Sequence, residues 1–331
     1  MAAIESRNVE EDEEGMRLDR WFKAHFPELA FGQLQKLLRT GQIRVDGGRA
    51  KTSQRLEEGQ AVRIPPMAAE TVKLAPEKVR PRKISKDDRE AIESMILHED
   101  KAVMVLNKAP GLAVQGGSGM TRHVDGMLEA FRDKSGNKPR LVHRLDRDTS
   151  GVLVIAKTRR AAQELTKAFR ARATRKVYWA LLKGVPTPRQ GKISNYLARL
   201  DNEFMRVAKH GEPEAQHALT HYNVVETSGQ ALSWVTLKPV TGRTHQLRIQ
   251  CQSIGNPIVG DPKYFDVENW ELPGGMQNKL HLLARRIVIP HPAGGTLDIS
   301  APLPPHMQQS WNLLGFDIGD YDREADLTEG G

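Results

Sequence analysis

Two stretches near the start of the chain repeat apolar residues at helical spacing. In LDRWFKAHFP these residues recur three or four positions apart, and the proline ends the predicted helix. In FGQLQKLLRTG the leucines share one face, and Gly41 is the expected C-terminal glycine. The DGG of QIRVDGGRA predicts a hairpin, and QRLEEGQAVRIP predicts a further strand pair. Residues 16–65 are therefore expected to form a small α+β module.

From about residue 91 onward, strand patterns outnumber helix patterns. RRAAQELTKAFR has the spacing of an amphipathic helix, and a second helix is predicted over 243–254. Many strands with few helices indicate an α+β domain over 91–311, built on a large, mixed, mainly antiparallel sheet. Between the two domains, 66–90 has the Pro, Lys and Glu content of a linker. The predicted strands lie in KAVMVLNKAPG, GVLVIAKT (apolar enough to be buried on both faces), KVYWALLKG, HYNVVE and ALSWVTLKPV.

Charge is distributed unevenly along the 331 residues, whose formal net charge is +8. Residues 1–15 and 317–331 each carry six acidic side chains and one basic side chain, which leaves +18 on the body between them. Acidic, disordered tails are therefore expected over 1–15 and 312–331. So basic a body favours a polyanion partner, nucleic acid above all. The alternative is that the charge only keeps the protein soluble.

Composition excludes several classes of protein. The single cysteine, Cys251, rules out a disulfide framework and a cysteine-rich zinc site. The acidic N-terminal segment lacks the apolar run of a signal peptide, and no stretch approaches the roughly 18 apolar residues that span a bilayer. These features predict a soluble protein of a reducing compartment, most simply the cytoplasm.

The segment HRLDRDTSG places a high density of charge at the start of a buried strand. Asp146 lies between Arg144 and Arg147 in sequence, and such cations favour the ionised carboxylate that nucleophilic or electrostatic work requires. The alternative is a structural ion pair that holds a loop. DTSG predicts a turn, in which Gly151 permits the sharp entry into the strand.

GRTHQLRIQ carries a second group of polar residues. If 243–254 is helical, Thr244, His245 and Arg248 share one stripe. Arg243 and Thr244 then lie in the first turn, whose free amides suit a phosphate. Arg248, one turn further on, can reach a carboxylate and pair with it through two hydrogen bonds. A solvated helix face would explain the same alternation.

Other catalytic classes fit less well. A glycosidase-like hydrolase needs two carboxylates roughly 5–9 Å apart. Asp146 and Asp148 are the candidate pair, but the arginines and the basic body favour RNA. DTSG lacks the G-x-S-x-G elbow of serine hydrolases, and no Walker A or G-x-G-x-x-G segment is present. The eleven histidines show no metal-ligand spacing.

Four segments together carry a family resemblance. HRLDRDTSG, KVYWALLKG, TGRTHQLRIQCQSIGNPIVGDPKY and LHLLARRIVIPHP, in this order, resemble the RluA-type pseudouridine synthases. The module of 16–65 resembles the S4 RNA-binding domain, and together with the NKAPGLAVQGG turn it is similar to the RluC-like members that act on large-subunit ribosomal RNA. The resemblance implies the pseudouridine synthase fold. It also implies that a flipped uridine in RNA is isomerised, by cleavage of its glycosidic bond and rejoining through C5.

The resemblance also implies roles for individual residues. Asp146 matches the essential aspartate that acts at C1′ or C6, and Arg248 matches the arginine paired with it. Tyr178 matches the tyrosine that stacks on the base and is the candidate for removing the C5 proton, although its strand pattern alone is more typical of a core ring. Arg144 matches the arginine that enters the RNA stack, and Leu282 matches the apolar residue beneath the base. Further RNA contacts are expected from Arg243, Thr244, His245, Arg17, Arg20, Lys36, Arg39, Arg44, Lys51 and Arg55.

RNA is thus the expected partner, most directly large-subunit ribosomal RNA, of a monomeric cytoplasmic enzyme without cofactor, metal ion or membrane. Two alternatives stay open: the same reaction on transfer RNA, and a non-enzymatic RNA-binding factor of ribosome assembly. The chain departs from the family pattern at Gln115 and at Leu283, where histidine is more common. Both departures concern substrate choice more than activity.

Overall fold

A computed structural model of the chain describes residues 5–10, 13–26, 28–65, 86–116, 122–133, 136–171, 173–201, 204–265 and 270–321. The chain forms two compact units, the first mainly within 1–85 and the second mainly within 86–331. Most of the expected linker (66–85) and the end of the expected acidic tail (322–331) lie outside the described residues. No helix in the described part of the chain is long and apolar enough to cross a membrane.

Within its described residues, the first unit consists of two helices and a four-stranded antiparallel sheet. Its elements are β1 (Glu5–Asn8), α1 (Leu18–His25), α2 (Phe31–Arg39), β2 (Arg44–Val45), β3 (Gly48–Arg49) and β4 (Ala61–Ile64). The sheet order is β1-β4-β2-β3. Asp46 and Gly47 both have positive φ between β2 and β3, which confirms the hairpin. Gly41, with φ of 71°, follows α2 as predicted.

The acidic N-terminal segment takes part in this unit. β1 pairs with β4 along its whole length, and Val9 is buried. The buried carboxylate of Glu13 accepts a hydrogen bond of 2.7 Å from Trp21 Nε1. The expected disordered tail is therefore wrong for 5–10 and 13–15, because an edge strand is held by backbone hydrogen bonds that charge composition does not reveal. The segment QRLEEGQAVRIP was expected to form a strand pair. It contains β4, which pairs instead with β1.

An 11-stranded sheet forms the second unit. Its strands are β5 (Ile96–Glu99), β6 (Val103–Lys108), β7 (Arg140–Leu141), β8 (Ser150–Ala156), β9 (Arg175–Lys183), β10 (Gln190–Arg199), β11 (Met205–Ala208), β12 (Gln216–Ser228), β13 (Leu232–Pro239), β14 (Leu282–Pro290) and β15 (Thr296–Ser300). Their order is β11-β10-β12-β13-β9-β14-β8-β6-β5, with β15 on β14 and β7 on β8. Only β14 and β8 pair in parallel among the described strands, so the mixed, mainly antiparallel sheet is confirmed.

Helices cover both faces of this sheet. They are α3 (Lys86–Glu93), α4 (Val124–Met127), α5 (Arg159–Arg170), α6 (Gln246–Ser253) and α7 (Pro305–Leu314), with 3₁₀ turns at Leu128–Phe131 and Ile318–Asp320. Apolar residues of α5 and α7 pack with Trp179 and Trp234 on one face. Those of α6 pack with Ala180 and Val235 on the other face. The alternation along β9 therefore separates two halves of the core, as its sequence predicts.

Gly151 fixes the geometry at the start of β8. The parallel contact between β8 and β14 covers two register positions, Ser150 with Leu283 and Gly151 with Ala284. Gly151 has φ of 105°, and a Cβ atom there would overlap the carbonyl oxygen of Ala284. Only glycine combines this conformation with so close an approach, which confirms the predicted entry into the strand. The loop 142–149 ends at this contact.

Two expected boundaries of the second unit are wrong. Helix α3 begins at Lys86, inside the expected linker, and its first turn carries Asp87 and Asp88, which the positive end of a helix favours. At the other end, α7 continues to Leu314, and the Tyr321 ring lies 5.0 Å from that of Trp179. The acidic tail was expected from residue 312, but apolar side chains within it reach the core.

Candidate active site

A cavity of about 690 Å³ opens in the second unit. Asp146, Tyr178 and Arg248 line it together, although they come from a loop, from β9 and from α6. Of the other predicted site residues, four line the same cavity: Arg144, Leu282, Arg243 and Thr244. Groups as far apart in sequence as Arg144 and Leu282 therefore meet in one place.

The loop that carries Asp146 is tied to the turn after β6. The buried ammonium of Lys108 donates to the carbonyl oxygens of Arg147, Ala109 and Leu112 at 2.8 to 2.9 Å. The amide of Gly111 also donates to the Arg147 carbonyl, at 3.0 Å. Burial lowers the pKa of Lys108 to about 7, and the negative charges of Asp148 and Asp146 oppose that shift. This lysine, which the sequence pattern did not single out, anchors the backbone of the loop at Arg147 to the turn after β6.

The cation that faces Asp146 is not a sequence neighbour. Arg147 Nε donates to the carbonyl of Gly111 at 3.1 Å, and the Arg144 side chain is exposed. The ion pair runs instead from Arg248 Nη1 to Asp146 Oδ2, at 3.9 Å. The expectation that the two flanking arginines surround this carboxylate is therefore wrong, because adjacent residues of an extended loop point in different directions.

Tyr178 lies on β9 with its ring half-buried in the cavity. Burial, and then the charge of Asp146, raise the pKa of its phenol above the usual 10. The ring is therefore a neutral, flat, apolar surface beside the carboxylate. Leu282, the first residue of β14, is buried and pairs in register with Ala180, next but one to the tyrosine.

Arg248 has a second and closer partner that sequence reasoning missed. Its Nε and Nη2 donate to Oδ2 and Oδ1 of Asp261 at 2.8 and 2.6 Å, and both side chains are enclosed. Burial opposes the charge of Arg248, but Asp261 and then Asp146 outweigh it and raise the pKa of the guanidinium. Asp261 is itself oriented by the amides of Lys263 and Tyr264 at 2.9 and 3.1 Å. The available signal was the polar turn GDPKY after α6.

The start of α6 differs from the prediction. The helix begins at Gln246, so Arg243 and Thr244 lie before its first turn, and the stripe expected over 243–254 does not form. The Gln246 side chain takes the place expected for a phosphate, since its Oε1 accepts from the amide of Arg243 at 3.0 Å. Residues 246–251 of the helix are all buried, and Gln246 and Gln250 are satisfied there by hydrogen bonds to strand residues such as Thr220, at 2.9 and 2.6 Å.

His245 stands at the head of this helix with φ of 51°. Non-glycine residues in this left-handed region are strained and cluster at functional sites. Its Nδ1 lies 2.8 Å from the hydroxyl of Tyr264. The guanidinium carbon of Arg248 lies 5.2 Å from the centre of the same ring. His245 therefore belongs to the layer behind Arg248, outside the cavity lining.

The predicted RNA-binding residues of the first unit lie on its surface. Arg17 pairs with Asp19, while Arg44 and Arg55 donate to backbone carbonyls. Four others are exposed and form no side-chain hydrogen bond or salt bridge among the residues that the structure describes: Arg20, Lys36, Arg39 and Lys51.

The arrangement in the cavity has a definite chemical capacity. A partly exposed carboxylate, with 22% of the side chain accessible, faces a fixed guanidinium and a neutral aromatic ring. Such a site can present an anionic oxygen to an electrophilic carbon and hold a flat base against the ring. Among the described residues, no three His, Cys, Asp or Glu side chains converge as metal ligands do.

Comparison with known proteins identifies the relatives of this chain. The family model described as RNA pseudouridylate synthase matches residues 102–253. Ribosomal large subunit pseudouridine synthase C of Pasteurella multocida is 35% identical over 324 residues, covering 94% of each chain. RNA pseudouridine synthase 4, mitochondrial, of Arabidopsis thaliana is 35% identical over 375 residues, covering 89% of this chain and 78% of that protein.

A solved structure agrees with these sequence relatives. The human RNA pseudouridylate synthase domain containing 4 has a TM-score of 0.58 at 30% identity, over 68% of this chain and 95% of its own. The matched family segment contains Asp146, Tyr178 and Arg248. With more than a third of its residues shared over nearly the whole length of such an enzyme, the chain belongs to the RluA-type pseudouridine synthases, RNA-modifying isomerases, and is RluC-like among them.

Proposed function

We propose that the protein isomerises specific uridines of large-subunit ribosomal RNA to pseudouridine. The relative from Pasteurella multocida is named for that subunit, and its similarity extends over both units of this chain. The observation that carries the proposal is the convergence of Asp146, Tyr178 and Arg248 on one cavity. The proposal includes the expectation, taken from the family resemblance, that the protein acts as a monomer in the cytoplasm.

The substrate uridine enters this cavity as a flipped nucleotide. In a helix its C1′ and C5 atoms are shielded, so the base must leave the stack at a cost of a few kcal/mol. A volume of about 690 Å³ lies within the roughly 300–1,000 Å³ of ligand pockets. Arg144, exposed and two residues from Asp146, supplies a planar cation that stacks where the base was.

Asp146 acts as the nucleophile. Its carboxylate bonds either to C1′, as the N1–C1′ bond breaks and uracil leaves as an anion, or to C6, by addition to the C5–C6 double bond. On the C6 route the N1–C1′ bond breaks after this addition, while the base stays attached to Asp146. On either route C5 then bonds to C1′, the carboxylate departs, C5 loses its proton and N1 gains one. No atom is gained or lost overall, so the reaction is an isomerisation.

Tyr178 stacks on the flipped base. Stacking on an aromatic side chain contributes about 1–3 kcal/mol per base. Because the pKa of this phenol is raised by burial and by Asp146, the hydroxyl keeps its proton at neutral pH. It can take the C5 proton only while passing its own proton on, and the departing Asp146 carboxylate is an acceptor of suitable charge.

Arg248 places a positive charge beside Asp146 once RNA closes the cavity, which offsets the cost of removing the carboxylate from water. The distance of 3.9 Å between the two side chains is too long for a strong hydrogen bond. Asp261 holds the guanidinium at that distance through two shorter bonds. The carboxylate oxygens of Asp146 therefore stay available for attack while the positive charge remains close.

The first unit serves as an S4-like RNA-binding module. Its helix–helix–hairpin order and its exposed cations, among them Lys36 and Arg39 on α2, support this role. Such cations contact phosphates, which adds affinity without reading sequence. In the second unit, Arg243 and Thr244 line the cavity and are expected to contact the RNA there.

Asp146→Asn tests the catalytic proposal. Wild type and variant are incubated with unmodified large-subunit ribosomal RNA transcribed in vitro, and pseudouridine is mapped along it. We expect a fall in rate of more than about 10³-fold, the usual consequence of removing a nucleophile. Asp148→Asn is the matched control, since it makes the same change two residues away and outside the cavity lining.

Equal modification by Asp146→Asn and wild type would end the assignment of the nucleophile. Modification of transfer RNA in place of the ribosomal transcript would overturn the substrate while leaving the chemistry intact. RNA from cells that lack the protein, mapped in the same way, identifies the missing positions.

A further inference from the structure

The catalytic cavity contains a cation for which the chemistry above has no role. Lys176 lies two residues before Tyr178 on β9, and residues at this spacing face the same side of a strand. Both line the cavity. Its ammonium has no acceptor among the described residues, and burial lowers its pKa. A half-buried charge without a counter-ion is unfavourable in a folded protein unless a ligand supplies the opposite charge.

His143 adds a second donor beside this lysine. Its Nε2 accepts a hydrogen bond of 2.8 Å from the amide of Val154, so the neutral ring carries its proton on Nδ1. Burial, and then the charge of Lys176, lower the pKa of His143 to about 3, so the ring is neutral at physiological pH. The ring stacks on Phe169, with 4.7 Å between centroids, and its Nδ1–H has no acceptor among the described residues.

Both donors have access to the cavity. The fully enclosed polar side-chain atoms without a partner, within the described residues, belong to Thr174, Glu226 and three tryptophans. Neither Lys176 Nζ nor His143 Nδ1 is among them, although neither has a hydrogen-bond partner within the described ranges. Each nitrogen therefore retains an open side, and the open space beside these residues is the cavity that they line.

The balance of charge around the cavity favours an anion. Asp146 is the sole carboxylate of the described lining, and Arg248 already faces it at 3.9 Å. Four further cations line the same space: Arg144, Arg170, Lys176 and Arg243. Such an excess is typical of sites that hold phosphate oxygens, to which charged donors bind about twice as strongly as neutral ones do to neutral acceptors.

We propose that Lys176 and His143 form a phosphate subsite, which holds one of the two phosphates that flank the flipped uridine. This proposal rests on the proposed entry of a flipped nucleotide into the cavity. The ammonium of Lys176 supplies the positive charge, and the imidazole Nδ1–H of His143 donates a hydrogen bond whose direction is fixed by the ring. Anchoring the backbone beside the reacting nucleotide would hold C1′ against Asp146 and Tyr178, so that the base alone rotates during the reaction.

Lys176→Met tests the subsite, because methionine keeps the length of the side chain and removes its charge. Without RNA the variant should unfold at a temperature roughly 2–4 °C higher, since a half-buried charge with no counter-ion among the described residues is removed. On the RNA that wild type modifies, its kcat/KM should fall about 10- to 100-fold, the value of a charge-assisted hydrogen bond. Lys176→Arg should restore part of the activity. If Lys176 had only a structural role, Lys176→Met would lower the stability and the activity of the protein together.

Two experiments, on salt dependence and on a modified RNA, show whether Lys176 contacts a phosphate or a carbonyl oxygen of the base. Loss of one phosphate contact should reduce the slope of log affinity against log salt by about 0.7–0.9. A neutral methylphosphonate at the contacted position should weaken wild type as much as Lys176→Met does, and should cause no further loss in that variant. Lys192→Ala is the control, because Lys192 is exposed on β10 and lies outside the cavity lining.

The inference fails if Lys176→Met leaves kcat/KM and the salt slope unchanged, or if Lys192→Ala changes the slope equally. An intact slope together with lost activity would assign Lys176 to the base and overturn the phosphate subsite. These outcomes are independent of Asp146→Asn, whose failure would remove the nucleophile without affecting RNA binding.

Discussion

Asp261→Asn tests how far the buried guanidinium of Arg248 depends on its partner. The two side chains have relative exposures of 0% and 2%. Removing one member of a buried ion pair leaves an uncompensated charge, which costs about 3–5 kcal/mol. Asp146, at 3.9 Å, still compensates part of the charge of Arg248. We therefore expect Asp261→Asn to lower the free energy of unfolding by about 3 kcal/mol, the lower end of that range. That is a large fraction of the roughly 5–15 kcal/mol by which proteins are stable.

Urea unfolding at pH 7, followed by tryptophan fluorescence, measures this loss. Asp298→Asn is the matched control, because Asp298 also accepts two hydrogen bonds from an arginine, Arg286, at 2.7 and 2.5 Å. Its carboxylate is 34% exposed, so we expect a loss of about 1 kcal/mol. The activity of Asp261→Asn should fall mainly in kcat, since the released guanidinium can move onto Asp146 and occupy its oxygens.

Equal losses of stability in the two variants would refute this reasoning, because Asp261 is fully enclosed and also accepts two backbone hydrogen bonds, whereas Asp298 is one-third exposed. A fall in stability with unchanged kcat would show that Asp261 supports the fold without positioning Arg248.

Two further predictions concern pH and the first unit. Burial, and then His306, lower the pKa of His281 to about 4, so the unfolded chain binds the proton more readily and stability falls as pH drops from 6.5 toward 4. Between pH 7 and 5, wild type should lose about 2 kcal/mol more than His281→Asn in urea titrations, and identical pH profiles would contradict this. Charge reversal at Lys36 or Arg39 should weaken RNA binding roughly tenfold in filter assays without altering unfolding. Unaltered binding would exclude α2 from the RNA contact.

Local patterns predicted those parts of the fold that depend on burial. GVLVIAKT indicated a strand covered on both faces, and all seven residues of β8 are buried. The alternation in KVYWALLKG places Trp179 and Tyr178 on opposite sides of β9. Such patterns succeed because the period of a strand converts directly into which side chains meet the core.

The pattern failed where polar residues are buried through distant partners. Gln246 and Gln250 look like a solvated helix face, yet both are enclosed because strand β12 satisfies their amides. The N-terminal acidic segment looked disordered, yet β1 completes a sheet. Hydropathy alone cannot identify a buried polar group, because its stability depends on hydrogen bonds to residues far away in sequence.

The amino-acid sequence by itself determined the chemistry that the protein carries: a carboxylate, an arginine and a tyrosine in motifs that resemble one family, on a basic chain with strand periodicity. Tertiary structure decided which cation faces Asp146, that Asp261 holds this cation, and that Lys176 has no hydrogen-bond partner in the described part of the chain. The physical reason is that charge and hydrogen bonding depend on distances of a few ångströms. Strand register and loop anchoring set those distances, and separation along the chain does not.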